Sequence, residues 1–245
     1  SLNIIGIGGI DGNGLFDTNG LNLNGNDYLT IPDSDNISPL SGDFTSCFWI
    51  YHKGAETNVI DQSDGVDRFL PLYIDGGLDY SFLIDDGPNS VNYGTGIAVP
   101  TNKWLHYCLV LERGALGTIY VNAEEIDSTS IVSVSGEINP TEDMWVGMRD
   151  EDHGGSRYFN GYLEEIIFWN KALTSEKISE LYLEQATQFH EPSIVGLWHL
   201  NNNALDSSGN GNNGVWYGGE DYVTGFWDTN GAQPYVDDYI EIPDD

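Results

Sequence analysis

Short runs of apolar residues alternate with clusters of Gly, Asn and Asp along most of the chain. Residues 69–74 form one such run, which ends at Asp75-Gly76-Gly77, and residues 166–169 form another. Runs of four to eight β-branched and aromatic residues bounded by turn formers are typical of strands. The pattern predicts an all-β protein. Four tryptophans in these runs are expected to fill its core: Trp49, Trp104, Trp145 and Trp169.

Only the stretch after residue 173 has the spacing of a helix. Thr174 or Ser175 is suited to the N-cap, and Glu176 would lie in the positive first turn. Ile178 and Leu181 follow at helical spacing, and Pro192 excludes continuation. We therefore predict one short helix at about residues 174–187.

The two ends of the chain repeat each other. Residues 14–33 align without a gap with residues 225–244, 211 positions later, and ten of the twenty residues are identical. Chance alone would give about one identity, so the match indicates an internal repeat. We interpret residues 212–245 as a partial second copy of the segment 1–34.

The charge of the chain is strongly negative. It has 39 Asp and Glu against 8 Lys and Arg, a formal net charge of −31 at pH 7. Nucleic-acid binding relies on Lys and Arg, and anionic membrane surfaces would repel such a protein. No run of about 18 apolar residues suggests membrane insertion. The charge favours a saline or calcium-rich exterior.

The chain has two cysteines, Cys47 and Cys108, and each lies in a strand-like apolar run. Two cysteines in such runs are either buried thiols or a disulfide. The residues alone leave both interpretations open.

Several segments resemble the laminin G-like domains of the concanavalin A-like superfamily, and pentraxins most of all. The resemblance implies a two-sheet antiparallel jelly-roll sandwich with one short C-terminal-side helix. Because the Trp198 segment normally opens such a domain, we expect a permuted sandwich over 1–211, with 194–211 as its closing strand. The resembling segments are Phe44-Thr45-Ser46-Cys47-Phe48-Trp49, Trp104-Leu105-His106-Tyr107-Cys108, residues 159–170, Gly196-Leu197-Trp198, residues 206–211 and residues 238–243.

Pentraxins carry cysteines in the two corresponding strands, so the resemblance implies a disulfide between Cys47 and Cys108. A disulfide in turn implies an oxidising compartment, and we expect an extracellular or cell-surface protein.

Pentraxins also bind calcium through two loops, and the resemblance maps these loops onto this chain. The implied ligands are Asp67 in the first loop and Asp150, Glu151 and Asp152 in the second. Oxygen ligands of this kind suit Ca²⁺, and we expect one ion, since Arg149 and Arg157 depart from the pentraxin pattern. The alternative is a solvated acidic loop.

A second cation loop is suggested at Asp206, Ser208 and Asn210. Asp, Ser and Asn in this arrangement are also typical of a turn whose side chains only fix the backbone. Both interpretations are open from the residues.

No catalytic pattern stands out, so we expect no enzyme. Endoglucanases of this fold carry Glu-x-Asp-x-x-Glu, whereas Glu125-Ile126-Asp127 here lacks the second glutamate, and the five histidines show no metal spacing. We expect a recognition or adhesion module that binds a glycan or cell-surface ligand with the help of calcium. The alternative is a structural role: head-to-tail self-association by strand exchange through residues 195–245, or one unit of a tandem array.

Overall fold

The computed structural model describes residues 19–54, 56–149, 157–184, 193–200, 203–217 and 222–224. These residues form fifteen strands, one α-helix and one short 3₁₀ helix, Asp35–Ile37. The strands are β1 (Asn19–Asn24), β2 (Tyr28–Ile31), β3 (Phe44–His52), β4 (Thr57–Ser63), β5 (Asp67–Ile74), β6 (Asp79–Asp86), β7 (Ser90–Ala98), β8 (Trp104–Leu111), β9 (Leu116–Val121), β10 (Glu124–Ser130), β11 (Met144–Val146), β12 (Asn160–Trp169), β13 (Ile194–Trp198), β14 (Val215–Tyr217) and β15 (Tyr222–Thr224).

The strands form two antiparallel sheets that pack face to face. The eight-stranded sheet has the order β10-β9-β8-β3-β12-β1-β15, with β13 also paired to β12. The seven-stranded sheet has the order β14-β2-β11-β4-β5-β6-β7. This arrangement confirms the prediction of a two-sheet jelly-roll sandwich.

The main core lies between the two sheets and follows the alternation of each strand. In β8, Leu105, Tyr107 and Leu109 are almost completely buried in it. The hydroxyl of Tyr107 crosses the core and donates to the backbone oxygen of Pro71 in β5, at 2.7 Å. A buried phenol hydroxyl needs a hydrogen-bond partner, and this hydrogen bond links the two sheets.

The helix α1 covers Ser175–Glu184 on the outer side of the eight-stranded sheet. The Thr174 hydroxyl accepts the backbone N–H of Lys177 at 3.3 Å, as an N-cap does. Ile178 and Leu181 pack into a second core cluster, against Trp169. The predicted helix is confirmed, and the last predicted residues, 185–187, lie outside the described residues.

One edge of β12 is shared by two strands from distant parts of the chain. Residues 160–163 pair with β1, and residues 166–169 pair with β13. Glu165 lies at the junction with a φ of 52°. Its buried carboxylate faces His199, the residue that follows β13.

The segment after β13 also pairs with the first strands of the chain. β14 pairs with β2 in the seven-stranded sheet, and β15 pairs with β1 in the eight-stranded sheet. Residues 215–217 and 222–224 thus contribute to the two sheets. The closing strand at 194–211 and the second copy over 212–245 stay predictions.

Candidate functional site

The outward face of the seven-stranded sheet carries a groove of about 260 Å³. Its floor contains three polar side chains of β4, Asn58, Asp61 and Ser63, each at most 3% exposed. The Asp61 carboxylate accepts the Asn58 amide N–H at 2.6 Å and the Ser63 hydroxyl at 2.5 Å. Buried polar groups on the open side of a sheet form a preorganised set of donors and acceptors for a ligand.

A break in the alternation of β4 brings these side chains to one face. Val59 and Ile60 are consecutive, yet both belong to the main core. The pairing of β4 with β5 shifts register between Asn58 and Ile60 and again between Ile60 and Gln62. Bulges re-aim side chains in this way, and they place Asn58 and Asp61 together although the residues are three positions apart.

The neighbouring strands add apolar and aromatic surface to the groove. The groove is also lined by Leu70 and Tyr73 of β5, Leu83 of β6 and Asn92 of β7. The Tyr73 hydroxyl donates to the side-chain oxygen of Asn92. Burial raises the pKa of Tyr73, so its phenol stays protonated and remains a donor at neutral pH.

Three arginines also line the groove: Arg68, Arg149 and Arg157. The backbone N–H of Arg149 donates to the backbone oxygen of Arg157 at 3.0 Å, so these two residues are neighbours in space. Arg157 lies 3.5 Å from the carboxylate of Glu56. The residue pattern offered no reason to place these arginines on one surface.

An aromatic cluster lies on the same outward face, in the strands next to β4. The rings of Trp145 and Tyr28 are 5.0 Å apart, and the ring of Tyr158 is 6.4 Å from Tyr28. Trp145 pairs with Asp61 in the sheet, so the cluster lies beside the groove.

Two of the four tryptophans expected in the core are only partly buried. Trp145 points outward, because its neighbours Met144 and Val146 point into the core. Trp104 is partly exposed as well; on the other sheet its ring contacts Tyr51 edge-on and Tyr162 at a tilt. The expectation was therefore wrong for these two, because the apolar runs do not reveal which face each residue takes.

The predicted calcium ligands are not brought together within the described residues. Asp150, Glu151 and Asp152 lie outside them. Asp67 lies on the same face of β5 as the core residue Phe69, whereas Arg68 lies on the other face. The Asp67 carboxylate accepts the backbone N–H of Asn139 at 3.1 Å. A calcium site that includes Asp67 stays a prediction.

The loop at Asp206, Ser208 and Asn210 is held by its own hydrogen bonds. The Asp206 carboxylate accepts the backbone N–H groups of Leu197, Ser208 and Asn212 at 2.8–3.1 Å. The Asn210 amide donates to the Val195 backbone oxygen at 3.2 Å. These contacts tie the loop to β13, and a cation there stays a prediction.

Cys47 and Cys108 form a disulfide between the paired strands β3 and β8. Both residues are buried, and the ring of His106 lies 3.9 Å from the Cys108 sulfur. Among the described residues, only this trio brings three side chains of metal-ligand type together, and the two sulfurs are bonded to each other rather than available as thiolates. Burial lowers the pKa of His106 to about 3, so its ring is neutral. The implied disulfide is confirmed.

Within the described part of the chain, no helix has the length and apolar character needed to cross a membrane.

Solved structures with low sequence identity share this fold. A candidate carbohydrate-binding protein from Bacteroides ovatus has a TM-score of 0.65 at 19% identity, covering 84% of this chain and 60% of that one. A heptameric SAP-like pentraxin from Limulus polyphemus has a TM-score of 0.62 at 15% identity, covering 86% and 96%. Domains LG4-5 of the mouse laminin alpha1 chain give 0.52 at 14% identity, covering 66% and 44%.

No curated protein sequence matches the chain. A family model does match: the laminin G model of the concanavalin A-like lectin/glucanases superfamily covers residues 23–179, more than half of the sequence. The resemblance to laminin G-like and pentraxin folds is therefore confirmed. The chain belongs to the concanavalin A-like lectin/glucanases superfamily.

Proposed function

We propose that this protein is a non-catalytic extracellular module that binds a glycan in the groove on its seven-stranded sheet. One observation carries the proposal: Asn58, Asp61 and Ser63 are buried on a face that otherwise opens to solvent. Sugar hydroxyls both donate and accept hydrogen bonds, and a carboxylate beside an amide and a hydroxyl offers both kinds of partner.

The aromatic cluster supports the same proposal. Sugar rings present apolar C–H faces, and the half-buried Trp145 offers a flat surface beside Asp61. Tyr28 packs against Trp145 and limits its motion. A rigid aromatic surface next to fixed polar groups is the usual composition of a ligand site. The Bacteroides ovatus structure of similar fold is that of a candidate carbohydrate-binding protein, which agrees with this proposal.

Binding without hydrolysis is part of the proposal. The nearest match to the endoglucanase motif, Glu125 and Asp127, lies in β10 at an edge of the eight-stranded sheet, whereas the groove belongs to the other sheet. Asp127 accepts a hydrogen bond from the Tyr93 hydroxyl at 2.7 Å. Incubation with bound oligosaccharides should release no new reducing ends.

The proposed role of calcium in ligand binding rests on three acidic residues in the sequence between Arg149 and Arg157. Asp150, Glu151 and Asp152 follow a residue that lines the groove, and carboxylates of this kind suit Ca²⁺. We propose one ion held by this loop. Isothermal titration with CaCl₂ should show one site that Asp150→Asn weakens, and an unchanged titration would remove calcium from the proposal.

An oxidising location is the third part of the proposal. The disulfide is fully enclosed between β3 and β8, and disulfides persist outside the cytosol. This supports an extracellular or cell-surface setting.

A glycan array followed by titration tests the main proposal. Trp145→Ala should weaken binding of the selected glycan at least about tenfold, which corresponds to about 1.4 kcal/mol. Trp104→Ala is the matched control, because Trp104 is also partly exposed but lies on the other sheet. Equal losses in both variants, or no bound glycan, would contradict the proposal.

Self-association is a second candidate, favoured by the repeat. β1 and β2 hold fixed places in the two sheets, and residues 230–235 and 239–242 are their sequence equivalents. The equivalents in one copy of the chain would fit the same places in another copy, as donated strands do. Light scattering of the full chain and of a variant ending at residue 224 tests this. A monomeric full chain would exclude it.

A further inference from the structure

The positive charges of this protein are unevenly distributed. The chain has 8 Lys and Arg in total, and three of its four arginines line the groove. The fourth, Arg113, serves the fold: its guanidinium donates to the backbone oxygen of Gly136. Three cations in one groove of a protein with a net charge of −31 form a local site for a negative group.

From this arrangement we propose that the ligand of the groove is an acidic glycan, whose sugar rings carry carboxylate or sulfate groups that bind Arg68, Arg149 and Arg157. The inference rests on the proposed glycan-binding function and specifies its ligand class.

The surroundings of Arg68 support a ligand at this place. Its Nε atom is buried and has no hydrogen-bond partner within the described part of the protein. A buried donor without a partner destabilises the fold. An anionic oxygen in the groove would accept this N–H and remove that cost.

Arg157 is available to a ligand at little expense. Its contact with Glu56 measures 3.5 Å, and the two side chains are 34% and 46% exposed. Ion pairs this exposed contribute little to stability. Exchange of Glu56 for a ligand carboxylate or sulfate therefore costs the protein little.

The acids of the groove already have other partners. Asp61 accepts hydrogen bonds from Asn58 and Ser63, and Asp75 accepts the backbone N–H of Gly77 at 3.0 Å. These contacts fix both carboxylates in place. Two fixed carboxylates against three guanidinium groups leave the lining of the groove with a positive balance.

Arginine, rather than lysine, is the suitable cation for such ligands. The planar guanidinium group offers a fork of N–H donors that matches the paired oxygens of a carboxylate or sulfate. Among the residues that the structure describes, no lysine lines this groove. Away from the groove the strongly negative surface repels anions, so binding of an acidic glycan reports on this site rather than on general attraction.

The experiment is titration of the full chain, with calcium present, by three oligosaccharides of equal length. One carries carboxylates (oligogalacturonate), one carries sulfates (a sulfated galactan fragment), and one is a neutral galactan fragment. We expect an acidic oligosaccharide to bind at least about tenfold more tightly than the neutral one. The first two arms decide whether the anionic group is a carboxylate or a sulfate.

Variants locate the effect. Arg68→Gln and Arg157→Gln should each weaken binding of the acidic oligosaccharide about tenfold. Lys103→Gln is the charge-matched control, because Lys103 is exposed and does not line the groove. Thermal unfolding verifies that each variant is folded. Arg157 is partly exposed, so Arg157→Gln should leave the fold intact.

Three results would overturn the inference. Equal binding of neutral and acidic oligosaccharides, with no effect of the arginine variants, would remove the acidic ligand but leave glycan binding intact. Equal weakening by Lys103→Gln would assign the effect to general charge. Binding of no oligosaccharide at all would overturn both the inference and the proposed function.

Discussion

The Nδ1 atom of His199 lies 2.7 Å from the Oε2 atom of Glu165, and both side chains are largely buried. This pair joins the end of β13 to the middle of β12, at the junction between β13 and β1. Burial alone would lower the pKa of His199, but the hydrogen bond and charge of Glu165 raise it. We therefore expect the attachment of β13 to depend on pH.

The first prediction concerns that pH dependence. The pKa of His199 is higher in the folded protein than its ordinary value of 6.5. The stabilisation that protonated His199 gives the fold is therefore complete below pH 6.5 and is lost as the pH rises through the raised pKa. We expect the melting temperature to fall above pH 6.5. Burial raises the pKa of Glu165, so this carboxyl can take up a proton when its partner is lost. His199→Gln should therefore destabilise the fold by about 1–3 kcal/mol near pH 6, the cost of a buried polar group without its hydrogen-bond partner.

Glu165→Gln is the matched variant for this pair. It removes the buried charge, so the fall in melting temperature above pH 6.5 should become smaller. If His199→Gln and the unchanged protein show the same dependence on pH, another group controls it.

The second prediction concerns the disulfide. It closes a segment with a sequence separation of 61, and loss of that constraint should cost about 4 kcal/mol in the chain-entropy model. We expect Cys47→Ala with Cys108→Ala to lower the midpoint of urea unfolding accordingly. Because both cysteines are buried, dithiothreitol should reduce the native bond only as fast as the protein opens. Rapid reduction under native conditions would contradict this.

The third prediction concerns Gly161 in β12. A Cβ atom at this position would lie 2.1 Å from the backbone oxygen of Tyr51 and 2.6 Å from the ring of Phe159. The backbone of a paired strand can shift only by breaking its ladder hydrogen bonds, so Gly161→Ala should lower the free energy of unfolding by about 2–4 kcal/mol.

Gly42 provides the control for that substitution. Its nearest neighbour would be the Pro39 oxygen, at 3.9 Å, and the residue is exposed. Gly42→Ala should stay within about 0.5 kcal/mol of the unchanged protein in urea unfolding. Similar costs at the two positions would show that the close approach at Gly161 relaxes.

The fourth prediction concerns the connection between β10 and β11. Asp86 accepts the backbone N–H of Gly136 at 2.7 Å and that of Asn89 at 2.8 Å. Burial raises the pKa of Asp86, but these bonds outweigh it and lower the pKa. Its stabilisation is present above the ordinary aspartate pKa and is lost as the pH falls through the lowered value.

Asp86→Asn should therefore cost about 2 kcal/mol at pH 7, because an amide cannot accept both N–H groups. It should also reduce the loss of stability on acidification. Glu137→Gln, in the same connection but exposed, should change little. Equal effects of the two substitutions on the melting temperature would show that net charge, not the two bonds, is responsible.

The sequence predicted the features whose signals are local. Strands follow from apolar runs and their turns, and α1 follows from the Thr174 cap and the spacing of Ile178 and Leu181. The disulfide required the family resemblance, because the residues alone also allowed two thiols.

The groove and the buried ion pair could not be predicted in the same way. The groove depends on bulges that turn both Val59 and Ile60 inward, and no residue pattern marks a bulge of this kind. Glu165 and His199 are 34 positions apart and meet only because β13 pairs with β12. Such contacts follow from the tertiary arrangement of the strands.

The division of one edge of β12 between β1 and β13 makes this strand a common support for two segments that are far apart in sequence. The hydrogen bonds of β12 are satisfied whichever route the backbone takes between those two short strands. β12 therefore acts as one template that two distant segments of the chain share.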